Sequence, residues 1–204
     1  MLYNYKNILK EMFYVAVKTA APDTCLKNNL PEKPKGRVFV IGAGKAAASM
    51  ANTIEKEWGN DLSGIVITRY GHVVKTNSIK VYEAGHPLPD KNGIEITKRL
   101  GVVVDRLKKD ENLICLFSGG GSALLTQPAP GITYEDKLIV NKSLLECGAS
   151  ISEINTVRKH LSAIKGGVLA NRAFPATVFN FLISDVPGDN PSVIASGPTV
   201  PDET

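Results

Sequence analysis

The sequence predicts an α/β domain of three layers, a Rossmann-like fold in which helices cover both faces of a mostly parallel sheet. Short runs that are apolar throughout alternate with longer segments of helical periodicity. Strands that are apolar on both faces are typical of buried parallel sheets, and helices are the usual crossovers between them. Since no repeat or low-complexity tract breaks the pattern, we expect residues 1–204 to form a single α/β domain.

Each element follows from a local signal. The apolar runs predict the strands, and Asp90 and Thr133 are expected to begin helices because their side-chain oxygens accept hydrogen bonds from first-turn N–H groups. The predicted strands are residues 37–41, 64–68, 79–84, 112–117 and 176–183, and the predicted helices are residues 44–58, 91–108, 134–147 and 152–165.

Near the N-terminus, apolar residues recur at helical spacing and predict a helix with one face docked on an apolar surface. They are Leu9, Met12, Phe13, Ala16 and Ala20. Charged residues among them interrupt the apolar core that a signal peptide needs. No apolar run approaches the roughly 18 residues of a membrane span, so we expect no membrane partner.

Charge and cysteine content narrow the functional classes. The 24 Lys and Arg against 20 Asp and Glu leave a net charge of +4, spread along the chain, and aromatic residues make up only 6%. Both values argue against a nucleic-acid binder. Cys25, Cys115 and Cys147 are widely spaced and form no CxxC motif, which is typical of reduced thiols in a cytoplasmic protein.

A glycine-rich turn follows the first predicted strand. Gly42, Gly44 and Ala47 have the spacing of a dinucleotide fingerprint, and N–H groups at a helix start bind anions. The acidic residue that an NAD site of this kind has after the second strand is missing. Arg69 at that position leaves NADP as a possible ligand. Lys45 is predicted in a first helical turn, where the helix dipole disfavours a cation. It is therefore either a surface lysine or one kept to meet a phosphate.

Two further strand ends carry candidate ligand-binding groups. Residues 118–122 place three glycines between two serines, which is either a backbone cradle for phosphate or carboxylate, or merely a tight turn. His86 follows the third strand between a glycine and a proline. Its role stays open among a donor to an anion, a base and a buried histidine bonded to the backbone.

The remaining polar candidates follow in the second half of the chain. Asn155, Arg158 and Lys165 are predicted to share one helix face, which would clamp a carboxylate or phosphate or would be ordinary solvated surface. Asp185 and Asp189 follow the last strand on a Pro-Gly turn. They suit Mg²⁺, which takes one or two carboxylates plus phosphate oxygens, or else simple Asx-turn chemistry.

Taken in order, five sequence blocks resemble the class II glycerate 2-kinases of the MOFRL type. The blocks are residues 42–46, 85–90, 118–122, 155–162, and 184–189 with 196–199. The resemblance implies phosphorylation of D-glycerate by ATP and Mg²⁺ to give 2-phosphoglycerate, and relatives of this family are sometimes labelled hydroxypyruvate reductase. It implies Lys45 and Arg158 as catalytic residues and Asp185 and Asp189 as metal ligands. The implied substrate- and nucleotide-binding residues are Gly42, Gly44, Ser118, Gly119, Gly120, Gly121, Ser122, Asn155, Lys165, Ser196, Gly197 and Thr199.

This sequence departs from the family pattern in two respects. Asn190 stands where the family usually carries another Asp, and family enzymes are roughly twice as long, with the active site between two domains. We therefore expect this chain to resemble the N-terminal domain, without the C-terminal MOFRL domain, and to be poorly active alone. D-glycerate and ATP are the expected partners, with a homodimer as the assembly to test. The alternatives are an NADP-dependent hydroxypyruvate or 2-hydroxyacid reductase and a non-catalytic anion-binding module.

Overall fold

A computed structural model describes residues 4–204 of the chain. Their strands form one five-stranded sheet in the order β3-β2-β1-β4-β5. All four strand pairings are parallel, so the predicted fold class is confirmed. The strands are β1 (Arg37–Ala43), β2 (Ser63–Arg69), β3 (Ile79–Ala84), β4 (Glu111–Ser118) and β5 (Thr177–Ile183).

Helices cover the sheet on both sides. The α-helices of the described residues are α1 (Tyr5–Ala20), α2 (Pro22–Cys25), α3 (Ala47–Trp58), α4 (Lys91–Val104), α5 (Gly121–Leu124), α6 (Tyr134–Glu146), α7 (Ile151–His160) and α8 (Val168–Ala173). Successive strand residues point to opposite faces, and each face has its own core. Val40 packs with Met50 of α3, whereas Ile41 belongs to the core that contains Leu100 of α4 and Leu169 of α8.

Several predicted boundaries were wrong. Helix α3 begins at Ala47 rather than residue 44, because β1 continues through Gly42 and Ala43 and Gly44 has a φ of +142°. Helix α4 ends at Val104 rather than residue 108. The prediction missed α2, α5 and α8, which have only four, four and six residues. Short helices carry too little periodicity to be recognised in a sequence.

Helix α7 ends at His160, five residues before the predicted end. Beyond it, Ser162 forms an isolated bridge with Pro128, and its hydroxyl donates to the Gln127 carbonyl. This pairing draws the chain away from the helix axis. Lys165 therefore does not share a helical face with Asn155 and Arg158, and that part of the prediction was wrong.

Helix α1 forms as predicted, but its apolar face is not covered by residues 4–204. None of its residues is buried, and Leu9, Met12 and Phe13 are each more than 60% exposed. Its neighbour in the described chain is α2. The expected docking on an apolar surface is therefore absent from this part of the protein. No helix of residues 4–204 is long and apolar enough to cross a membrane.

Candidate active site

The carboxyl ends of all five strands lie at one edge of the sheet, where parallel sheets usually bind ligands. The loops that follow β1, β4 and β5 are neighbours there because their strands are adjacent. Lys45, in the loop after β1, places its Nζ 3.4 Å from Oδ2 of Asp185, in the loop after β5. Both side chains are about half exposed. An exposed ion pair is weak, so each partner stays available to a ligand.

The glycine turn after β4 lies beneath this ion pair. A β-carbon added at Gly119 would overlap the Asp185 carboxylate. One added at Gly120 would come within 2.8 Å of the His86 ring, and one at Gly121 within 2.7 Å of the Ala195 β-carbon. A different side chain thus lies against the backbone at each glycine. The run of three glycines is explained by this close packing without any ligand.

His86 joins the site from the loop after β3. Its imidazole is half-buried against Gly120, and burial together with the cations Lys45 and Arg69 lowers its pKa, which Asp185 opposes. No protein group in residues 4–204 forms a hydrogen bond with its ring, so a histidine bonded to the backbone is not what the structure shows. The ring is neutral at neutral pH and has a nitrogen lone pair available.

The first glycine turn is closed to anions, contrary to the dinucleotide interpretation. The N–H of Gly44 donates to the Ile67 carbonyl, and that of Lys45 donates to the Gly119 carbonyl. The N–H of Ala46 donates to Oγ of Ser118 at 3.0 Å, and that of Ala47 donates to the Gly44 carbonyl. Gly42 lies within β1. Gly42 and Gly44 therefore have packing roles, and Oγ of Ser118 accepts a hydrogen bond from within the protein.

A cleft of about 940 Å³ opens beside the ion pair. Gly119, Gly120 and Ser122 form its floor, Asp185 and Asn190 lie on one side, and Asn155 lies on another. Lys159 also lines the cleft, but it is buried and its Nζ lies 3.0 Å from Asp202. The cleft is large enough for a nucleotide or another small molecule.

Arg158 and Lys165 do not line this cleft. They line a second, smaller cavity on the other side of Ser122, together with Lys137. The predicted clamp of Asn155, Arg158 and Lys165 is thus divided between two cavities. Asn155 and Arg158 lie three residues apart on α7 but line different cavities, and Lys165 lies beyond the end of the helix.

The segment of residues 194–199 supports the site from behind. Ser196 is buried, and its hydroxyl forms a 2.7 Å hydrogen bond with the Ser122 hydroxyl. The carbonyl oxygens of Ser196 and Gly197 accept hydrogen bonds from the Gly166 and Gly167 N–H groups. Ser196, Gly197 and Thr199 are absent from the walls of both the cleft and the second, smaller cavity. Ser196 instead supports Ser122, which lines both.

The two predicted metal ligands differ in position. Asp185 lines the cleft directly after β5, whereas Asp189 is exposed on the following turn with a φ of +51° and is not part of the cleft wall. Within residues 4–204 there is no group of three or more His, Cys, Asp or Glu side chains that could hold a metal. Of the two predicted metal ligands, Asp185 is therefore the one whose carboxylate lines the cleft, which Glu203 also lines.

Sequence reasoning overlooked Lys137 and left His86 undecided. Lys137 lies in the first turn of α6, where the helix dipole disfavours a cation. The same argument singled out Lys45, so it was available for Lys137 too. His86 was recognisable only by its place at a strand end, because its neighbours come from loops distant in sequence.

Comparisons with known proteins give a consistent picture. Residues 8–204 match the family described as "Domain of unknown function (DUF4147)". A protein of Agrobacterium vitis, provisionally named hydroxypyruvate reductase, is 52% identical over 98% of this chain and 46% of its own length. The D-glycerate 2-kinase of Thermotoga maritima is 42% identical over 98% of this chain and 48% of its own length.

A solved structure supports the same relationship. The crystal structure of a glycerate kinase from Thermotoga maritima superposes with a TM-score of 0.88 at 43% identity, covering 97% of this chain and 49% of that one. The chain thus spans about half the length of the relatives it matches.

Proposed function

This chain belongs to the DUF4147 domain family, and we propose that it forms one wall of the active site of an ATP-dependent D-glycerate 2-kinase. The observation that carries the proposal is the meeting of Lys45 and Asp185 over the glycine turn, at the carboxyl edge of the sheet. The names of the Thermotoga maritima relative and of the solved structure supply the substrate. Since these relatives are about twice as long as the chain, a complete site is proposed to need the remainder of such a longer protein.

In the proposed reaction, the 2-hydroxyl oxygen of D-glycerate attacks the γ-phosphorus of ATP. The bond from that phosphorus to the bridging oxygen breaks, ADP leaves, and the hydroxyl proton passes to a base. Such transfers depend on positioning and charge neutralisation more than on covalent chemistry. Lys45 is assigned to neutralise charge on the transferring phosphoryl group, since its weak 3.4 Å ion pair leaves the ammonium group free to reorient.

His86 is the proposed acceptor of the hydroxyl proton. Its pKa is lowered by burial and by the cations Lys45 and Arg69, so the imidazole is neutral at the pH of the cell interior. The ring lies beside Gly120, which lines the cleft, and a neutral imidazole has a lone pair that can accept a proton.

Mg²⁺ is proposed to bind at Asp185. An accessible carboxylate at the end of a strand fits an ion that takes one or two carboxylates and fills its remaining positions with water and phosphate oxygens. Asp189 would contribute through its exposed turn. When bound, the ion would neutralise charge on the ATP phosphates.

A reductase is the second candidate, favoured by the name of the Agrobacterium vitis relative. An NADP-dependent enzyme of this fold would hold the pyrophosphate on the N–H groups of the turn after β1. Those of Gly44, Lys45, Ala46 and Ala47 already donate to protein acceptors. Hydroxypyruvate-dependent oxidation of NADPH, followed by absorbance, would support the reductase against the kinase.

The kinase proposal is tested by ADP release in a protein of the relatives' full length that contains this chain. Lys45→Ala should lower kcat about 10²- to 10³-fold, the usual loss on removing one electrostatic donor to a transition state. Lys56→Ala is the matched control, because Lys56 is exposed on α3 away from the cleft. Equal activity of both variants would contradict the assignment. The 204-residue chain alone should release little or no ADP, because effective molarity is lost without a second wall.

A further inference from the structure

Three cations surround the second cavity. Lys137 comes from α6, Arg158 from α7 and Lys165 from the loop after α7, and all three line a space of about 50 Å³. We call this the cationic pocket. Lys165 is buried, and its Nζ donates a 2.6 Å hydrogen bond to the Ser122 carbonyl. Lys137 and Arg158 are half-buried.

The charge of the cationic pocket is not compensated by the protein. In residues 4–204, none of the three cations forms an ion pair with a carboxylate. The remaining titratable side chain in the lining is Tyr134, whose hydroxyl donates to the Pro89 carbonyl. Charged groups that are removed from water normally have a partner of opposite charge. The three cations of this pocket have no such partner among the described residues.

The arrangement has an energetic cost that packing alone does not explain. Burial, and then the charge of Arg158, lower the pKa of Lys137 to about 8. Burial together with Lys137 and Arg158 lowers the pKa of Lys165 well below its usual value. The dipole of α6 adds to the cost at Lys137, in the first turn. Costly, mutually repelling groups that converge on a cavity are typical of binding sites.

The volume limits what this pocket accepts. A water molecule needs about 10–15 Å³ of such space, so about 50 Å³ suits a group of a few heavy atoms. A whole nucleotide needs a site of several hundred Å³. A carboxylate or a single phosphate group matches both the size and the positive charge.

We propose that the cationic pocket binds a small oxyanion and that, given the kinase function on which this step rests, the oxyanion is the carboxylate of D-glycerate. Ser122 lines both the cationic pocket and the cleft. An acid held by its carboxylate here extends past Ser122 toward the wall that carries Asp185. The phosphates of ATP remain in the cleft, beside the ion pair of Lys45 and Asp185.

Calorimetric titration of the protein with D-glycerate, glycerol and inorganic phosphate tests the proposal. D-glycerate should bind and glycerol, which lacks the carboxylate, should not. Lys137→Met should raise the Kd for D-glycerate roughly 10- to 100-fold, the range for losing a hydrogen bond from a charged donor, and leave the Kd for ATP unchanged. Lys142→Met is the matched control, because Lys142 lies on the same helix, is 77% exposed and pairs with Glu146.

Folding of the variant is checked by its Tm. Without an anion, Lys137→Met should melt no lower than the original protein, because it removes repulsion and breaks no hydrogen bond. Glycerate affinity that neither Lys137→Met nor Arg158→Gln changes would overturn the proposal. Phosphate binding that D-glycerate does not displace would overturn the carboxylate assignment. Glycerate binding that depends on Lys137, without ADP release by the longer protein, would support the pocket and refute the kinase function.

Discussion

The two glycine-rich turns of this chain differ in how their backbones are used. In the turn after β1, the N–H groups of residues 44–47 are bonded within the protein, and the side chain that projects from it is Lys45. In the turn after β4, the glycines leave room for the Asp185 carboxylate and the His86 ring. The two turns are similarly rich in glycine, but their glycines have different structural roles. In the turn after β1, the backbone N–H groups are used for hydrogen bonds within the protein. The turn after β4 lets side chains from distant loops approach each other.

The difference shows that glycine spacing alone does not identify a phosphate site. Glycines are required wherever a β-carbon would collide with a neighbour, whether that neighbour is a ligand, a side chain or another strand. Near this cleft the neighbours are protein atoms. The chemistry of the site therefore comes from the charged and titratable side chains that the turns bring together.

The largest expected difference between the two turns is in how much a substituted glycine lowers the stability of the protein. Gly44→Ala should lower the free energy of unfolding by about 2–6 kcal/mol, combining strain at a φ of +142° with overpacking against the Ser118 backbone. Gly119→Ala should lower it by less than about 1 kcal/mol, because the half-exposed Asp185 side chain can swing away. Denaturant unfolding of both variants measures the difference.

The small loss of stability expected for Gly119→Ala should be accompanied by a large loss of activity. In the longer protein, Gly119→Ala should slow ADP release about 100-fold, since displacement of a positioned group by about 1 Å has that cost. Two variants of equal stability would mean that the turn after β1 is as adaptable as the turn after β4, and the contrast drawn above would fail.

A smaller effect is expected at the metal. Asp185→Asn should raise the Mg²⁺ concentration that gives half-maximal rate about 10-fold, the scale for losing one charged interaction. Asp189→Asn should raise it less, because Asp189 lies outside the cleft wall on an exposed turn. Titration of Mg²⁺ against rate decides between them, and unshifted curves for both variants would remove both residues from the metal site.

The smallest effect concerns the protonation of His86. Lys45→Met should raise the pKa of His86 toward its ordinary value of 6.5, because the cation beside the ring is lost. Lys56→Met should leave it unchanged. An NMR titration of the imidazole measures both. The sign follows from charge, since a nearby cation favours the neutral ring and its removal favours the protonated one. An unchanged pKa in Lys45→Met would place His86 outside the influence of the ion pair.

The strand pattern made much of the sheet predictable, because β1, β2 and β4 contain apolar runs that lie in the core. The helix caps at Asp90 and Thr133 were also confirmed, because each cap is a hydrogen bond to a residue only three positions away. The division of Asn155, Arg158 and Lys165 between two cavities was not predictable. The bridge between Pro128 and Ser162 lies just beyond the end of α7 and before Lys165, and nothing local signals a pairing across that distance.

The exposed state of α1 also lay beyond local reasoning. Its apolar spacing correctly predicts a helix, but periodicity states only that a face is apolar and not which surface covers it. For the three-glycine run, the sequence allowed both a ligand cradle and a tight turn. In the structure, Asp185 and His86 pack against its backbone, and Gly119 and Gly120 also line the cleft.

The position of β5 at the edge of the sheet has a consequence for motion. Residues 113–117 of β4 are completely buried, so their amide hydrogens should exchange with solvent only when the whole domain unfolds. Strand β5 has one sheet neighbour and is only partly buried, so it should open locally and exchange sooner. Lys45 follows a central strand, whereas Asp185 follows this edge strand. The cleft should therefore widen by movement on the Asp185 side while Lys45 keeps its place.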